Sequence, residues 1–338
     1  MKKYQINHLG KTLNTDHWHN LSVEDCNIIR KSYYDKPDFE KVSKNLKFIF
    51  NGGLKIADIM NYYVKDLMSK VKNHSSKWSV EEMLQSDDLI RYFYSRILSN
   101  NKVYPKNNTI IKNFKIALQL SGNRVALKPS NFPMKTIDEI LELYNTNNNY
   151  YDFSCGWGVR MLSSMKHNIN YYGTEPNYLL VDRLNKIHSD YNKVNNTNTY
   201  VNIKCQGSEI FIPSWKNKMG VIFSSPPYYN LEDYKIGEQS IIGKTYDEWL
   251  DDYMFNTLKN CEKYLINEGF LLINVKNFER YNLYNDTFNM VKHLKFKYIK
   301  TIKLINKTRP SVKIDINTNE KIMVFKKIQN KSKNKSKK

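Results

Sequence analysis

Residues 221–229 read Val-Ile-Phe-Ser-Ser-Pro-Pro-Tyr-Tyr, and the architecture of the chain follows from how this segment folds. Its apolar half is rich in β-branched and aromatic residues, and Pro226 and Pro227 end it because proline cannot continue a β-ladder. The pattern predicts a buried strand followed by a rigid turn. Since the prolines carry no N–H, the turn offers backbone carbonyls and the Ser225 hydroxyl as acceptors beside the Tyr228 ring. These acceptors are suited to bind an amino group that is held against the aromatic ring. The alternative is a core strand that ends at the prolines and carries an exposed tyrosine.

From about residue 126 onward, the sequence alternates between strand patterns and helix patterns. One long helix is predicted over Tyr246–Tyr264, and the alternation as a whole predicts a mostly parallel sheet covered on both faces. The last two strands have a short polar connection that contains Pro310 and Asn317, so we expect them to form an antiparallel pair. The predicted strands are Tyr150–Phe153, Tyr171–Gly173, Tyr200–Cys205, Gly220–Phe223, Phe270–Val275, Tyr298–Leu304 and Lys321–Phe325.

The N-terminal part of the chain shows helical patterning without this alternation. Ser22-Val23-Glu24-Asp25 and Ser79-Val80-Glu81-Glu82 match the capping box, in which a serine and an acidic residue three positions later cap each other's backbone. We expect a helical N-terminal domain over residues 1–125 and an α/β domain over residues 126–327. Residues 328–338 are too polar and too like-charged to fold, and they predict a disordered basic tail.

A second turn, residues 151–158, follows the first strand of the alternating region and reads Tyr-Asp-Phe-Ser-Cys-Gly-Trp-Gly. Glycines at a strand-to-helix turn let the backbone approach a ligand closely. Glu175, at the tip of the next predicted strand, can take both hydroxyls of a ribose, as in dinucleotide-binding folds. A Rossmann dehydrogenase is the alternative, but Met161 stands where the third glycine of Gly-x-Gly-x-x-Gly belongs.

Both turns resemble motifs of one enzyme family. Ser225-Pro226-Pro227-Tyr228 resembles the catalytic motif of S-adenosylmethionine-dependent amino-methyltransferases, which methylate the exocyclic nitrogen of cytosine or adenine, usually in DNA. The glycine turn is similar to the cofactor motif of this family, with Glu175 matching its ribose-binding acid. Asn131-Phe132-Pro133 resembles the segment that contacts the methionine end, and Gly207-Ser208-Glu209 matches the loop that holds the adenine. The motifs follow in the order called gamma, and the strongest resemblance is to DNA methylases of phages and large viruses.

The resemblance extends from about Asn131 to Phe325 and implies an α/β fold of the Rossmann-like class I methyltransferase type. This fold has a mostly parallel seven-stranded sheet with an antiparallel C-terminal strand pair, and the implied cofactor is S-adenosylmethionine. The implied catalytic residues are Ser225, Pro226, Pro227 and Tyr228. The implied cofactor-binding residues are Phe132, Pro133, Asp152, Phe153, Ser154, Cys155, Gly156, Trp157, Gly158, Glu175, Ser208 and Glu209.

The chemistry explains why such a turn suits this reaction. The lone pair of an exocyclic amino group is delocalised into the ring, so acceptors such as Ser225 Oγ and the Pro226 carbonyl would make the nitrogen more nucleophilic. A base in a duplex must be flipped out to reach the turn, where Tyr228 would stack on it. Further candidate substrate contacts, for which packing or ordinary solvation is the alternative, are Tyr229, Tyr234, Lys276 and Asn277.

The target base is cytosine or adenine. In the family, serine at the position of Ser225 accompanies cytosine N4 more often, whereas Asp or Asn accompanies adenine N6, so the sequence favours cytosine N4. The chain contains no Pro-Cys pair, which argues against methylation of cytosine C5 through a thiolate adduct.

The composition favours a nucleic-acid partner. The 338 residues carry 53 Lys and Arg against 33 Asp and Glu, and the net charge of +20 attracts a polyanion. We therefore expect DNA as the partner, with RNA as the alternative. The chain is also rich in Asn, Ile and Tyr, which is typical of an AT-rich coding sequence that adds lysine by itself.

Metal, membrane and secretion signals are weak in this sequence. Asp16-His17-Trp18-His19 has its histidines too close together for a metal site by itself, and the cysteines lack metal-ligand spacing. No apolar run approaches a membrane span, and no secretion signal begins the chain, so we expect an intracellular protein in the cytoplasm, or in the nucleus or a viral factory. The four cysteines, expected to be reduced, are Cys26, Cys155, Cys205 and Cys261.

Several alternatives stay open on the sequence alone. Gamma-type enzymes usually carry target recognition after the catalytic turn, where little chain remains here, so we expect recognition in the N-terminal domain or in a partner. The expected protein partner is another subunit or a second copy of the chain in a homo-oligomer. RNA or a glutamine side chain is an alternative substrate. A catalytically silent nucleic-acid-binding subunit is a further alternative, against which Glu175 and Ser225 speak.

Overall fold

The structure is a computed structural model that describes residues 4–16, 18–98, 111, 114, 118, 125–235, 239–240, 243–304 and 320–329. His17, Pro310, Asn317 and residues 330–338 of the predicted basic tail lie outside the described residues.

The N-terminal part begins with a β-hairpin that the sequence did not predict. Strands β1 (Tyr4–His8) and β2 (Lys11–Thr15) pair antiparallel through Leu9 and Gly10, whose φ angles are 49° and 69°. Two positive φ angles match the twist of hairpin strands, but the Asn-Gly or Asp-Gly sequence that usually announces such a turn is missing. Helices then follow as predicted, with one two-residue strand, β3 (Lys72–Asn73), among them. These helices are α1 (Val23–Tyr34), α2 (Phe39–Phe50), α3 (Ala57–Tyr63), α4 (Lys65–Lys70), α5 (Val80–Leu84) and α6 (Asp87–Leu98).

Both predicted capping boxes begin helices. At the start of α1, the Ser22 hydroxyl accepts from the Asp25 backbone N–H at 3.0 Å, and the Asp25 carboxylate accepts from the Ser22 backbone at 2.9 Å. Ser79 and Glu82 make the same exchange at the start of α5, at 3.1 and 2.8 Å. Each box satisfies backbone N–H groups that the first helical turn leaves without partners.

A seven-stranded sheet forms the centre of the fold. Its strands are β4 (Asn149–Asp152), β5 (Asn170–Thr174), β6 (Val201–Lys204), β7 (Met219–Ser224), β9 (Leu265–Val275), β10 (Phe296–Lys303) and β11 (Lys321–Lys327), and the short β8 (Glu232–Asp233) pairs with β3 outside it. The strand order is β6-β5-β4-β7-β9-β11-β10. Neighbours from β6 to β9 are parallel, and β11 is antiparallel to both β9 and β10. The predicted strands and the predicted antiparallel pair are confirmed, and the fold is the expected Rossmann-like class I methyltransferase type.

Helices cover both faces of this sheet. The predicted helix over residues 246–264 is continuous, with a π-helical stretch (Leu250–Phe255) in its middle, and a 3₁₀ turn (Pro213–Trp215) precedes β7. The α-helices of this part are α7 (Met134–Tyr144), α8 (Val159–Lys166), α9 (Tyr178–Asn195), α10 (Tyr246–Trp249), α11 (Asn256–Tyr264) and α12 (Leu283–Lys292).

Alternate residues of the central strands enter two different cores. Val221 and Phe223 of β7 join the core on the side of α7 and α8, whereas Ile222 joins the core on the side of α11. All three side chains are fully buried. Burial on both faces explains why β7 reads as a continuous apolar run rather than as an alternating one.

Part of the N-terminal region shares a core with the sheet. Val42 of α2 and Tyr63 of α3 belong to the same buried cluster as Leu184 of α9, and the Tyr63 hydroxyl donates to Asp190 of α9 at 2.7 Å. Residues of β1, α1, α5 and α6 form a separate cluster. The division of the chain at residue 125 stays a prediction.

Within the described residues, no helix combines the length and the hydrophobicity that a membrane crossing requires. All four cysteines are free thiols; Cys26, Cys155 and Cys261 are buried and Cys205 is exposed. Burial raises the pKa of the Cys155 and Cys261 thiols, so both stay protonated near neutral pH.

Candidate active site

A buried hydrogen bond joins the carboxyl ends of β4 and β7. The Ser224 hydroxyl donates to Asp152 Oδ1 at 2.6 Å, and both side chains are fully buried. Two residues earlier on β4, the Tyr150 hydroxyl donates to the Phe223 carbonyl of β7 at 2.8 Å. The glycine turn after β4 and the Ser-Pro-Pro-Tyr turn after β7 therefore leave the sheet side by side at one edge.

Two glycines shape the turn after β4. Gly156 and Gly158 have φ angles of 54° and 90°, in the left-handed region that favours glycine. A Cβ atom on Gly158 would lie 2.5 Å from Leu184 Cδ2, so any other residue at this position would require the buried Leu184 side chain of α9 to shift. A Cβ atom on Gly156 would meet nothing closer than Arg160 Nη2 at 3.5 Å, so conformation rather than space requires this glycine.

Asp152 uses both carboxylate oxygens inside the protein. Oδ1 accepts from Ser224, while Oδ2 accepts from Arg160 Nε at 2.7 Å and from the Tyr171 hydroxyl at 2.9 Å. Arg160 also donates to the Ser154 carbonyl, so it ties α8 back to the glycine turn. Burial opposes the charge of Arg160, but the adjacent Asp152 carboxylate holds its pKa above the ordinary value. Sequence reasoning missed Arg160, whose only signal was its position directly after the turn.

Glu175 stands at the tip of β5, beside the glycine turn. Its side chain is buried and accepts the Asn177 backbone N–H at 3.1 Å. Burial raises the pKa of Glu175 to about 7, with Asp152 adding to the effect and the backbone groups of Asn177 and Gly156 opposing it. The carboxyl group thus changes its charge near neutral pH.

The loop after β6 lies against α11 and the π-helical stretch. The Ser208 hydroxyl bonds to the Thr257 hydroxyl at 2.7 Å, and Asn260 Nδ2 donates to the carbonyls of Ser208 and Glu209 at 3.0 and 2.9 Å. Glu209 Oε2 is buried and has no hydrogen-bond partner in the described part of the chain. Glu209 Oε2 is therefore an acceptor without a partner among the described residues of this loop.

The remaining predicted cofactor residues differ in their surroundings. Phe153 and Cys155 are buried in the two cores, and Pro133 is exposed at the start of α7. The Phe132 ring meets Phe223 of β7 edge-on, with centroids 5.4 Å apart, so the upstream segment lies against β7. The Trp157 ring lies 6.0 Å from that of Tyr234.

Asn274 of β9 holds the turn after β7. Its Nδ2 donates to Ser225 Oγ at 2.9 Å and to the Tyr228 hydroxyl at 3.0 Å. Burial raises the pKa of Tyr228 well above its ordinary value, and the hydroxyl donates to the Asn274 carbonyl at 3.3 Å. Sequence reasoning missed Asn274, although it is the one polar residue in the apolar run 270–275 and could have been noticed for that reason.

The candidate substrate residues do not all meet at Ser225. Lys276 Nζ lies 5.7 Å from the centroid of the Tyr228 ring. Asn277 donates to Asn282 Oδ1 at 2.8 Å and accepts the Tyr284 backbone N–H at 2.9 Å, so its amide holds the start of α12. A substrate role for Asn277 stays a prediction.

Tyr229 belongs to an aromatic cluster next to the turn. Its φ angle is 48°, its hydroxyl donates to the Lys244 carbonyl at 2.9 Å, and its ring contacts Tyr246 and Tyr281. It lines an open cavity of about 520 Å³ together with Thr245, Tyr246, Asp247, Arg280, Tyr281, Asn282 and Asp286.

The loop that follows is fixed from the N-terminal region. The Tyr234 hydroxyl donates to Glu232 Oε2 at 2.8 Å, and burial raises the pKa of Glu232. Strand β8 pairs with β3, and the backbone N–H of His74 donates to the Leu231 carbonyl at 2.7 Å. The N-terminal region thus contacts the segment that leaves the candidate active site. No group of three His, Cys, Asp or Glu side chains is arranged to hold a metal ion among the described residues.

No protein-family model matches the chain, and no curated protein matches it in sequence. Solved structures resemble part of it. The [4+2]-cyclase SpnF has 11% identity and a TM-score of 0.42 over 59% of this chain and 82% of its own. An S-adenosylmethionine-dependent O-methyltransferase from Thermotoga maritima has 12% identity and a TM-score of 0.40 over 60% and 73%. An rRNA methylase from Streptococcus thermophilus has 12% identity and a TM-score of 0.38 over 60% and 99%. TM-scores this low carry no argument about the activity of this chain.

Proposed function

We propose that the chain transfers a methyl group from S-adenosylmethionine to the exocyclic amino group of a base in DNA, with cytosine N4 favoured over adenine N6. The observation that carries this proposal is the 2.6 Å hydrogen bond between Ser224 and Asp152, because it makes the glycine turn and the Ser-Pro-Pro-Tyr turn neighbours at one edge of the sheet. A donor site and an acceptor site must adjoin if one group is to pass directly between them.

The residues around the glycine turn fit the proposed cofactor. The buried Glu209 Oε2, without a partner in the described part of the chain, is an acceptor available to an adenine amino group. Glu175, once ionised, offers acceptors to the two ribose hydroxyls, and Gly156 leaves the backbone open to close approach. When bound, S-adenosylmethionine would supply an electrophilic methyl group.

Four of the predicted cofactor residues act indirectly in this proposal. Asp152 holds the glycine turn together with Arg160, because their polar groups already face each other and the turn backbone. Phe153 and Cys155 are core residues, and Ser208 fixes its loop to Thr257. Phe132 would contact the methionine end of the cofactor from the upstream segment.

The turn after β7 supplies the groups that act on the base. Ser225 Oγ keeps one lone pair after accepting from Asn274, and the Pro226 carbonyl is a second acceptor, so the two can take the hydrogens of a planar amino group. With both hydrogens held in this way, the amino nitrogen would face the methyl group that the bound cofactor would supply, and it would release one proton to solvent. Tyr228 stays a neutral phenol and would stack on the flipped base.

The test is a transfer assay with labelled S-adenosylmethionine and separate pools of DNA, RNA and protein, followed by digestion and mass analysis. We expect N4-methylcytosine from DNA in the wild type and a large loss of label in Ser225→Ala. If the product were N6-methyladenine, only the predicted target base would be wrong. If the label appeared only in RNA or in glutamine, the assignment of DNA as the substrate would be overturned. Calorimetric cofactor binding without transfer to any pool would indicate the silent subunit instead.

A further inference from the structure

Asn274 connects the two side chains of the Ser-Pro-Pro-Tyr turn that would meet the base. In the parallel pairing of β7 with β9, Ser224 lies opposite Ile273, so the next residue on each strand brings Ser225 and Asn274 together. The Asn274 side chain is 1% exposed. Its Nδ2 faces three oxygens: Ser225 Oγ at 2.9 Å, Tyr228 Oη at 3.0 Å and Glu320 Oε2 at 3.2 Å.

Glu320 explains why the amide has this orientation. Asn274 Oδ1 is buried and has no partner among the described residues, so the orientation leaves one acceptor unsatisfied. A carboxylate accepts hydrogen bonds and cannot donate them, so Glu320 requires the NH₂ end of the amide on its side. The same NH₂ end then faces Ser225 and Tyr228, so its two hydrogens are shared among three oxygens.

This arrangement restricts both side chains of the turn. A serine hydroxyl on its own can rotate freely, but a hydrogen bond from Asn274 occupies one lone pair of Ser225 Oγ and leaves the other lone pair for a ligand. The Tyr228 hydroxyl is held twice, since it also donates to the Asn274 backbone carbonyl. A preorganised acceptor needs no reorientation when the substrate arrives.

We propose that Asn274 is a positioning residue, oriented by Glu320, that holds the Ser225 hydroxyl and the Tyr228 ring in the geometry required for methyl transfer. This inference rests on the proposed function and adds to it a buried residue of β9 that positions the reacting groups. Asn274 acts through Ser225 and Tyr228, so its loss changes turnover and leaves cofactor affinity in place.

A double-mutant cycle separates positioning from general stability. We expect Asn274→Ala to lower kcat about tenfold in the wild type, the size expected for one lost hydrogen bond, and less than about threefold in a Ser225→Ala background. Asn45→Ala removes a second buried asparagine, which lies on α2 and donates to Asp58 at 2.9 Å, and should combine additively with Ser225→Ala. Equal effects of Asn274→Ala in both backgrounds would show that Asn274 does not act through Ser225 and would overturn that part of the proposal.

Glu320 provides an independent arm. Glu320→Gln keeps an acceptor for Asn274 Nδ2 and should retain most of the turnover. Glu320→Ala removes this acceptor and should lower kcat as Asn274→Ala does. If Glu320→Gln, Glu320→Ala and Asn274→Ala were all as active as the wild type, the inference would be contradicted. If the wild type transfers no methyl group to any substrate, the proposed function fails, and a crystal structure of Asn274→Ala still decides the inference. Displaced Ser225 and Tyr228 side chains support it, and unchanged ones overturn it.

Discussion

The Ser224 hydroxyl lies 2.6 Å from Asp152 Oδ1 and donates to it, in the fully buried space where β4 and β7 end. The same carboxylate faces Arg160, so one acidic group supports the strand junction and the glycine turn together. Removing its charge would leave the buried guanidinium without a counter-ion. We expect Asp152→Asn to lower the free energy of unfolding by about 3–5 kcal/mol and Ser224→Ala by about 1 kcal/mol, measured by urea denaturation. If both variants lost similarly little free energy of unfolding, Asp152 would not be the residue that supports the strand junction and the glycine turn together.

Two glycines with positive φ angles allow the cost of backbone strain alone to be compared with the cost of strain plus a steric clash. Gly243 has a φ angle of 71°, and a Cβ atom added there would have no described atom within 4 Å, so Gly243→Ala should cost only the conformational strain, about 1–2 kcal/mol. Gly158→Ala adds a Cβ atom 2.5 Å from Leu184 Cδ2, and we expect a total loss of about 2–5 kcal/mol. Thermal and urea unfolding of both variants measures the difference. Equal losses would mean that the Leu184 side chain moves aside without cost.

The two turns are predicted to have separate roles. Ser225→Ala removes one acceptor for the amino group and should lower kcat about 10- to 100-fold while the cofactor dissociation constant stays within about twofold. Gly156→Val puts a β-branched side chain at a φ angle of 54° and should abolish cofactor binding itself. Calorimetry with S-adenosylmethionine and a radiolabel transfer assay check the two effects. Loss of binding in both variants would refute the division of roles.

Glu175 should make cofactor binding depend on pH. Burial raises its pKa to about 7, and only the ionised carboxylate accepts from both ribose hydroxyls. Between pH 6 and pH 8 the ionised fraction rises from roughly a tenth to roughly nine tenths, so the affinity for S-adenosylmethionine should increase up to about tenfold. Glu175→Gln should give a pH-independent affinity over this range. A flat profile for the wild type would remove Glu175 from the cofactor site.

The same raised pKa has an opposite consequence for the cofactor-free protein. The folded state binds the Glu175 proton more tightly than the unfolded state does, so the stabilising contribution of this proton is complete below about pH 4.5 and is lost as pH rises through about 7. The unfolding free energy of the wild type relative to Glu175→Gln should therefore fall over that window, as urea titrations at several pH values would show.

The sequence predicted the architecture well because hydrophobic periodicity is a local signal. The seven strands and the long helix over residues 246–264 follow from apolar runs and their spacing. The hairpin of β1 and β2 was missed because Leu9-Gly10 lacks the usual turn sequence. Asp152 Oδ2 accepts hydrogen bonds from Arg160 and Tyr171, which come together only in the folded chain, so no local sequence pattern predicts these contacts.

The candidate site shows the same division between local and tertiary information. Motif spacing predicted Glu175 and Ser225 as site residues, since each stands at or directly after a strand end. Asn274 and Glu320 are 49 and 95 positions after Ser225 by residue number (274 − 225 and 320 − 225), and strand order alone brings them to the turn. Their roles become visible only from the pairing of β7 with β9 and of β9 with β11.

The last prediction concerns how DNA would meet the sheet edge. Lys303 at the end of β10 pairs with Lys321 at the start of β11, and Lys321 pairs with Val275 next to Asn274, so both lysines lie at the edge that carries the Ser-Pro-Pro-Tyr turn. Lys297 lies exposed at the opposite end of β10 and is the matched control. The double variant Lys303→Gln with Lys321→Gln should weaken DNA binding and reduce the slope of log K against log salt by up to about 2, because each phosphate contact contributes about 0.9.

Lys297→Gln should leave the slope unchanged. Fluorescence anisotropy with a short duplex at several salt concentrations measures both, and an equal change in slope for Lys297→Gln would indicate diffuse attraction to the +20 chain rather than contact at this edge.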